Sequence, residues 1–233
     1  MAHNYLIAGG SSGIGKAIVL QLLQEGHSVL VLSRQRGELP SHPALTHVAI
    51  DLATEEVDKS IIPAELHGLA YCPGSINLRP FRSLKTDQFE QDFRINVLGA
   101  VKVLQACQRP LKKAGHSSVV LFSTVAVVQG MPFHASVAAS KGAIEGLARS
   151  LAAEWSPHTR VNCLAPSLTD TPLAANLLST PEKRDNSAQR HPLKRIGTAE
   201  DIASMACFLL SGPGTWISGQ IIGIDGGMSR IRT

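Results

Sequence analysis

The sequence predicts a single α/β domain, residues 1–233, in which a doubly wound parallel sheet of seven strands is flanked by helices on both faces. Three observations carry this expectation. Short apolar runs alternate with helix-period segments along the whole chain, the pattern of repeated β-α-β units. Hydrophobic residues make up 44% of the sequence and aromatics only 4%, so the chain can bury a large core built from Ala, Val, Ile and Leu. A glycine-rich turn closes the first apolar run, where the first strand of such a sheet gives way to its first helix.

The elements follow in order. Tyr5–Ala8 is an apolar run stopped by Gly9-Gly10, and Gly13–Glu25 carries the 3.6-residue period of a helix stopped by Gly26. Strands are expected at Ser28–Ser33, His47–Ile50 and Gly68–Cys72, each bounded by turn residues. Asp87–Lys113 reads as one helix bent at Pro110, which lacks the N–H a helix needs. After a strand at Ser118–Ser123, Ser136–Glu154 is Ala-rich on almost every face and is expected to be buried, packed closely on a neighbouring element or another subunit. A strand at Arg160–Leu164, a helix at Ala199–Leu210 and a strand at Gln220–Ile224 complete the set. Thr171–Gly197 is polar, contains Pro172, Pro181 and Pro192, and follows a strand end. It reads as a substrate lid over the carboxyl edge of the sheet, with an ordinary surface excursion as the alternative.

Composition excludes several functions. Twenty-two Lys and Arg against 18 Asp and Glu give a net charge of +4, and no basic run exceeds a pair, so nucleic acid is not an expected partner. The first apolar stretch is too short for a secretory core or a membrane span, so the expectation is a soluble, cytoplasmic protein without a membrane partner. Cys72, Cys107, Cys163 and Cys207 are widely spaced and have no His at ligand spacing, which points to neither a disulfide scaffold nor a metal site.

Ala8-Gly9-Gly10-Ser11-Ser12-Gly13-Ile14-Gly15 has the chemistry of a phosphate cradle. Glycine lets the backbone approach a pyrophosphate, and the following helix N-terminus offers N–H donors and partial positive charge. By itself the turn is compatible with a mere tight connection. In sequence order there follow Asp51-Leu52, Gly74, Asn96, Ser123-Thr124, Lys141, Ala165-Pro166 and Ile224-Asp225-Gly226-Gly227. With these landmarks the chain resembles the short-chain dehydrogenase/reductase family over nearly its whole length. The resemblance implies a Rossmann-type fold and a nicotinamide dinucleotide held by Gly9, Ser11, Ser12, Gly13, Ile14 and Gly15. It further implies that Asp51 and Leu52 flank the adenine, Pro73 and Gly74 line the cleft, and Pro166, Thr169 and Thr171 meet the nicotinamide end.

Cofactor preference follows from charge. The residue ending the second strand faces the adenosine ribose, where a carboxylate accepts bonds from both hydroxyls and repels a 2′-phosphate. Here Ser33 removes the repulsion and Arg34 can hold the phosphate bidentately, so NADP(H) is favoured over NAD(H). The alternative is that Arg34, with Arg36 nearby, only solvates a loop.

The resemblance also exposes a gap. In the family a Tyr-x-x-x-Lys helix supplies a phenol whose pKa the lysine lowers, a Ser holds the substrate oxygen and an Asn supports a water relay. Lys141 is present for the nicotinamide ribose, Thr124 stands at the serine position and Asn96 at the asparagine, but Val137 occupies the tyrosine position. Valine has no proton to give. The only tyrosines are Tyr5 and Tyr71, and Tyr71 opens the turn Tyr71-Cys72-Pro73-Gly74 where the family has Asn-Asn-Ala-Gly. Its phenol is expected beside the cofactor, replacing a ribose or adenine contact. Ser167 follows Pro166 where the family usually has Gly.

Substitute proton donors are His134, one helical turn before Val137, or a water held by Lys141 and Thr124. His134 can equally be a solvated or capping residue, Lys141 a surface residue, and Ser136 and Ser140 packing or capping groups. Two readings stay open. One is a reductase of the carbonyl or 3-oxoacyl type, transferring hydride from NADP(H) to a small ketone or aldehyde and assembling as a homodimer or homotetramer. The other is an inactive NADP(H)-binding sensor or scaffold, paired in a hetero-oligomer with an active relative.

Overall fold

The computed structural model describes residues 2–232. β1 (Asn4–Ala8) leads through the glycine turn into α1 (Gly13–Gln24), and β2 (Ser28–Ser33), β3 (Leu45–Ala49) and β4 (Gly68–Tyr71) follow. A long helical region is divided into α2 (Thr86–Phe93), a π turn over Arg94–Leu98 and α3 (Gly99–Lys113). Next come β5 (Ser117–Phe122), the single-turn α4 (Ala126–Gln129), α5 (Ala135–Glu154) and β6 (Thr159–Pro166). The remainder is β7 (Thr169–Asp170), α6 (Pro181–Gln189), β8 (Gly197–Thr198), α7 (Ala199–Leu210) and β9 (Ile221–Ile224).

The seven main strands are all parallel and lie in the order β3-β2-β1-β4-β5-β6-β9, the doubly wound architecture expected. β7 and β8 pair as a small separate ribbon. Because both faces of the sheet are covered, its strands are apolar at successive positions. Leu6, Leu30, Leu69, Val119 and Leu121 point to the side of α3 and α5. Ile7, Val29, Val31, Ala70 and Val120 point to the side of α1 and α7. Each face thereby builds one half of the core.

Several expected boundaries move, for reasons the pairing makes plain. β3 starts at Leu45, ahead of His47, because Leu45 already pairs with Val29. β6 runs on to Pro166, whose partner is Ile224 of β9. Pro110 lies within α3 and does not end it, and the helical region is divided instead at Arg94–Leu98. α5 is not buried all round. Ser136, Val137, Ser140, Lys141, Ile144, Glu145, Ala148 and Ala152 form one buried stripe, and Ala139, Gly146 and Ala153 are exposed. The polar segment after β6 is a built element, with Thr180 capping α6 and Arg184 of α6 bonded to Asp170 of β7 at 2.6 Å.

The amino edge of the sheet carries three stacked imidazoles. His3 lies parallel to His67 with centroids 4.2 Å apart and to His27 at 5.5 Å. The amides of His3 and Asn4 donate to His27 Nδ1 and His67 Nδ1, which requires both rings to be neutral. Burial, reinforced by the His3 charge, holds His27 and His67 below the usual imidazole range, and Glu25 and Glu65 respectively only partly oppose it. The unfolded chain therefore takes up protons first, and stability falls as pH drops through the unfolded value of ~6.5 until the folded values are passed. Thermal unfolding followed from about pH 8 to about pH 5 is expected to show a falling Tm, and the fall should shrink in the double variant His27→Gln, His67→Gln. An identical fall in that variant would contradict the assignment.

Candidate active site

The order of the sheet reverses at β1, which lies between β2 and β4, so the connections leaving their carboxyl ends diverge and open a crevice. The glycine turn forms its floor. Gly9 has φ +71°, and a Cβ there would stand 2.9 Å from the Pro73 nitrogen across the reversal point. A Cβ on Gly15 would run into the Gly9 carbonyl oxygen, which is why the turn can close directly onto α1. Ser12 caps α1 with extended backbone and no side-chain cap bond, so the first N–H groups of the helix have no side-chain acceptor. Gly13 abuts Thr171, which brings the start of the polar segment over the turn.

The candidates around the adenosine end are arranged differently from the simplest expectation. Ser33 is buried and its hydroxyl donates to the Gln35 carbonyl at 2.9 Å, with His47 Nε2 3.0 Å away. Its donor capacity is spent, and the exposed Arg34 is the free polar group at this position. Asp51 accepts the Ala53 amide at 3.0 Å, and Leu52 is buried beneath. The Tyr71 expectation fails: its phenol is buried and donates to the Ile95 carbonyl at 2.7 Å, inside the core and away from the cleft. Burial also pushes that phenol up, far from proton-transfer range.

Beyond the turn lies a cavity of about 520 Å³. Ile14, Gly74, Thr124, His134, Val137, Lys141, Pro166, Thr169 and Thr171 all line it, so nine of the expected site residues converge here, while Asn96 and the other residues expected at the pyrophosphate and adenosine end lie outside its lining. Thr124 lies two residues past the end of β5 and its Oγ1 accepts the Ala126 amide at 3.3 Å, leaving its proton for another acceptor. The preceding Ser123 turns away to donate to Glu145 at 2.7 Å. Thr169 spends its hydroxyl on the Ser167 carbonyl, and Thr171 donates to the Thr169 carbonyl. Val137 presents its side chain to the cavity wall at 6% exposure. His134 caps α5, and its Nδ1 bonds the Pro132 carbonyl at 2.7 Å, so Nδ1 carries a hydrogen and only Nε2 is available.

Lys141 is buried, and its Nζ donates to the Phe122 carbonyl at 2.9 Å. Desolvation lowers its ammonium from 10.5 to about 8, while Cys163, Cys72 and Asp92 pull the other way. Beside it, Asn96 is fully buried in the π turn. Its Nδ2 donates to the Asp92 carbonyl, Ser75 Oγ and Ser140 Oγ, and its Oδ1 has no partner among the described residues. The helix can open here because side chains take the carbonyls it releases, Asn96 at Asp92 and Tyr71 at Ile95. A Cβ on Gly74 would stand 3.4 Å from Asn96 Oδ1 and 3.5 Å from Lys141 Nζ, so both groups face one small space beside that glycine.

Two groups went unrecognised in the sequence. Asp92 is fully buried and accepts from Ser75 Oγ at 2.5 Å, Asn77 Nδ2 at 2.7 Å and Ser136 Oγ at 2.6 Å. Ser136 is therefore a partner of Asp92, not a cap. The i, i+4 spacing of Asp92 and Asn96 was the available signal. His191, beyond α6, lines the cavity and bonds Ser167, which only the tertiary fold reveals.

Comparison with known proteins agrees with this geometry. The family model described as enoyl-(acyl carrier protein) reductase matches residues 8–229. A tropinone reductase homolog of Arabidopsis thaliana is 30% identical, with 97% of this chain and 92% of that protein covered. L-xylulose reductase of Bos taurus is 30% identical over 95% of this chain and 94% of its own length. The solved structure of a putative NAD(P)-dependent gluconate 5-dehydrogenase from Beutenbergia cavernae, with bound NADP at low occupancy, superposes with a TM-score of 0.89. It is 28% identical, with 98% of this chain and 97% of that one covered.

The depressed Lys141 ammonium has a consequence for stability. The unfolded chain binds the proton more tightly, so the buried charge costs the folded state in full below about pH 8 and ceases to do so between about 8 and 10.5. Lys141→Met is expected to raise stability at pH 7 by roughly 1–2 kcal/mol, less than the ~3 kcal/mol of the shift alone because the Phe122 carbonyl loses its donor. Denaturant unfolding at pH 7 and pH 10.5 checks this; a variant less stable at both would contradict it.

Proposed function

The chain belongs to the short-chain dehydrogenase/reductase family, and from that premise we propose that it binds NADP(H) in the crevice beyond β1 and β4 and reduces a small ketone or aldehyde. The observation that carries the reading is the buried Lys141 ammonium, which has one hydrogen-bond partner among the described residues and faces the cavity beside the orphaned Asn96 Oδ1. A buried charge with unused donors fits a site kept for a polyhydroxylated ligand. The glycine turn fits the same ligand, because it opens α1 with no side-chain cap bond from Ser12, leaving the first N–H groups of the helix without a side-chain acceptor.

When bound, the nicotinamide supplies hydride. The residues of this chain do the rest. Gly9, Ser11, Ser12, Gly13, Ile14 and Gly15 cradle the pyrophosphate on the α1 N-terminus, and Asp51, Leu52, Pro73 and Gly74 border the adenosine half. Arg34 takes a 2′-phosphate, and no carboxylate stands at Ser33 to repel it. Lys141 holds the nicotinamide ribose, while Pro166, Thr169 and Thr171 shape the far end of the cleft. Thr124 donates its unused proton to the substrate oxygen, and Asn96 Oδ1 anchors a water next to Lys141. Residues 171–197 form the lid that sets substrate shape. Exposed Phe93 and Leu98, next to the small exposed Ala139 of α5, suit burial against a second copy in a homodimer or homotetramer.

Val137 stands where the family has its tyrosine, and this favours a second reading, a non-catalytic NADP(H)-binding sensor or scaffold. Both readings need the cofactor, and they part over turnover. Wild type is expected to quench on NADPH addition and to prefer NADPH over NADH by about ten-fold or more, and Ser33→Asp with Arg34→Ala should reverse the preference. Consumption of NADPH with a panel of ketones and aldehydes then decides: turnover by wild type supports the reductase, and turnover only in Val137→Tyr supports the sensor. Failure to bind either nucleotide would remove both.

A further inference from the structure

Ser167 and His191 form a hydrogen-bonded pair in the cavity wall. Ser167 follows the end of β6, and its Oγ lies 2.8 Å from His191 Nε2. His191 Nδ1 lies 2.8 Å from the Ser187 carbonyl, an acceptor only, so Nδ1 carries the hydrogen and Nε2 accepts from the Ser167 hydroxyl. The imidazole is 2% exposed. The turn after β9 packs against it, with Gly226 beside the ring and the Asp225 carboxylate near enough to feel its charge. Nucleophile or acid, base and orienting group are thus held by two hydrogen bonds in series.

Position gives the pair a use. Ser167 and His191 line the same cavity as Thr124, Val137 and Lys141. The Val125 amide donates to the Pro166 carbonyl at 3.1 Å, so the residues after β5 and β6 lie side by side. Resting on the reductase reading above, we propose that Ser167 delivers the proton that a phenol at position 137 would have given, with His191 as its proton source. On protonation, His191 Nε2 becomes a donor to Ser167 Oγ, and the serine proton turns toward the cavity. With a bound nicotinamide supplying hydride to the carbonyl carbon, Ser167 would give its proton to the substrate oxygen. Ser167 takes the Nε2 proton, leaving neutral His191, an alcohol and the oxidised nicotinamide. Alcohol oxidation runs the same path backwards, with neutral His191 accepting. The charged groups facing this path are Asp225 from the turn after β9, Arg190 and Lys194 flanking His191, Lys183 of α6 and Lys141 across the cavity. His134 is the poorer donor, because it caps α5 at the exposed end of the cavity and has no pocket-facing hydroxyl bonded to it.

The test combines three readouts. In the apoprotein, ¹⁵N spectra of His191 should show the Nδ1–H tautomer when neutral, and Ser167→Gly should shift its Nε2 resonance. NADPH affinity should be unchanged within about three-fold in Ser167→Gly and His191→Gln, while ketone reduction falls by about 10²-fold in each. Adding Val137→Tyr to either variant should restore turnover, because a phenol bypasses the relay; this also separates chemistry from misfolding. Retained NADPH binding with turnover unaffected by Ser167→Gly overturns this proposal alone. Retained binding with no wild-type turnover, but turnover in Val137→Tyr, also overturns it. Loss of NADPH binding by wild type overturns the cofactor reading and this proposal with it.

Discussion

An ammonium group inside a protein needs a reason, and that of Lys141 organises this molecule. It sits on the buried stripe of α5 with the Phe122 carbonyl as its hydrogen-bond partner, and desolvation lowers its affinity for a proton. A fold selected for stability alone would place an apolar side chain there. The elements around it are arranged to keep it in place. Asp92 ties α2, the loop after β4 and α5 together through Ser75, Asn77 and Ser136, and Asn96 opens the helix between α2 and α3 to face the same space. Lys141 lines the cavity beside Gly74, so the charge looks into a crevice and not into packed core.

The fold was legible in the sequence to the extent that each signal was local. Seven apolar runs gave seven parallel strands, because strands covered on both faces need continuous apolar residues. The glycine turn announced the crevice for the same local reason. What could not be read depended on partners distant in sequence. Pro110 drew attention as a helix breaker, yet the helix opens at Asn96, where Tyr71 and Asn96 side chains take the released carbonyls. Tyr71 itself looked like a cofactor contact from its place in a turn, and its length carries the phenol into the core instead. Asp92 has no distinguishing local signal in the sequence beyond its spacing to Asn96, and only the fold surrounds it with three donors, Ser75 and Asn77 from the loop after β4 and Ser136 from α5.

The cavity wall shows how one substitution changes the problem a site must solve. An isopropyl group lines the cavity at Val137; on the reading proposed above, the hydride-positioning residues remain and the family's usual acid is missing. Hydride positioning and proton delivery are separate contributions to rate, each worth orders of magnitude. A chain can therefore keep the first while relocating the second. The end of β6 is suited to that relocation, because it borders the end of β5 and receives a histidine from the segment beyond α6. The same segment that would shape the substrate pocket would then also supply the proton.

The account treats Lys141 as a charge retained for a ligand at the expense of stability, and calorimetric titration with NADPH tests that directly. Wild type should bind one equivalent per chain, and Lys141→Met should bind at least about ten-fold more weakly. Equal affinity in the two proteins, or no heat of binding in wild type, would contradict it.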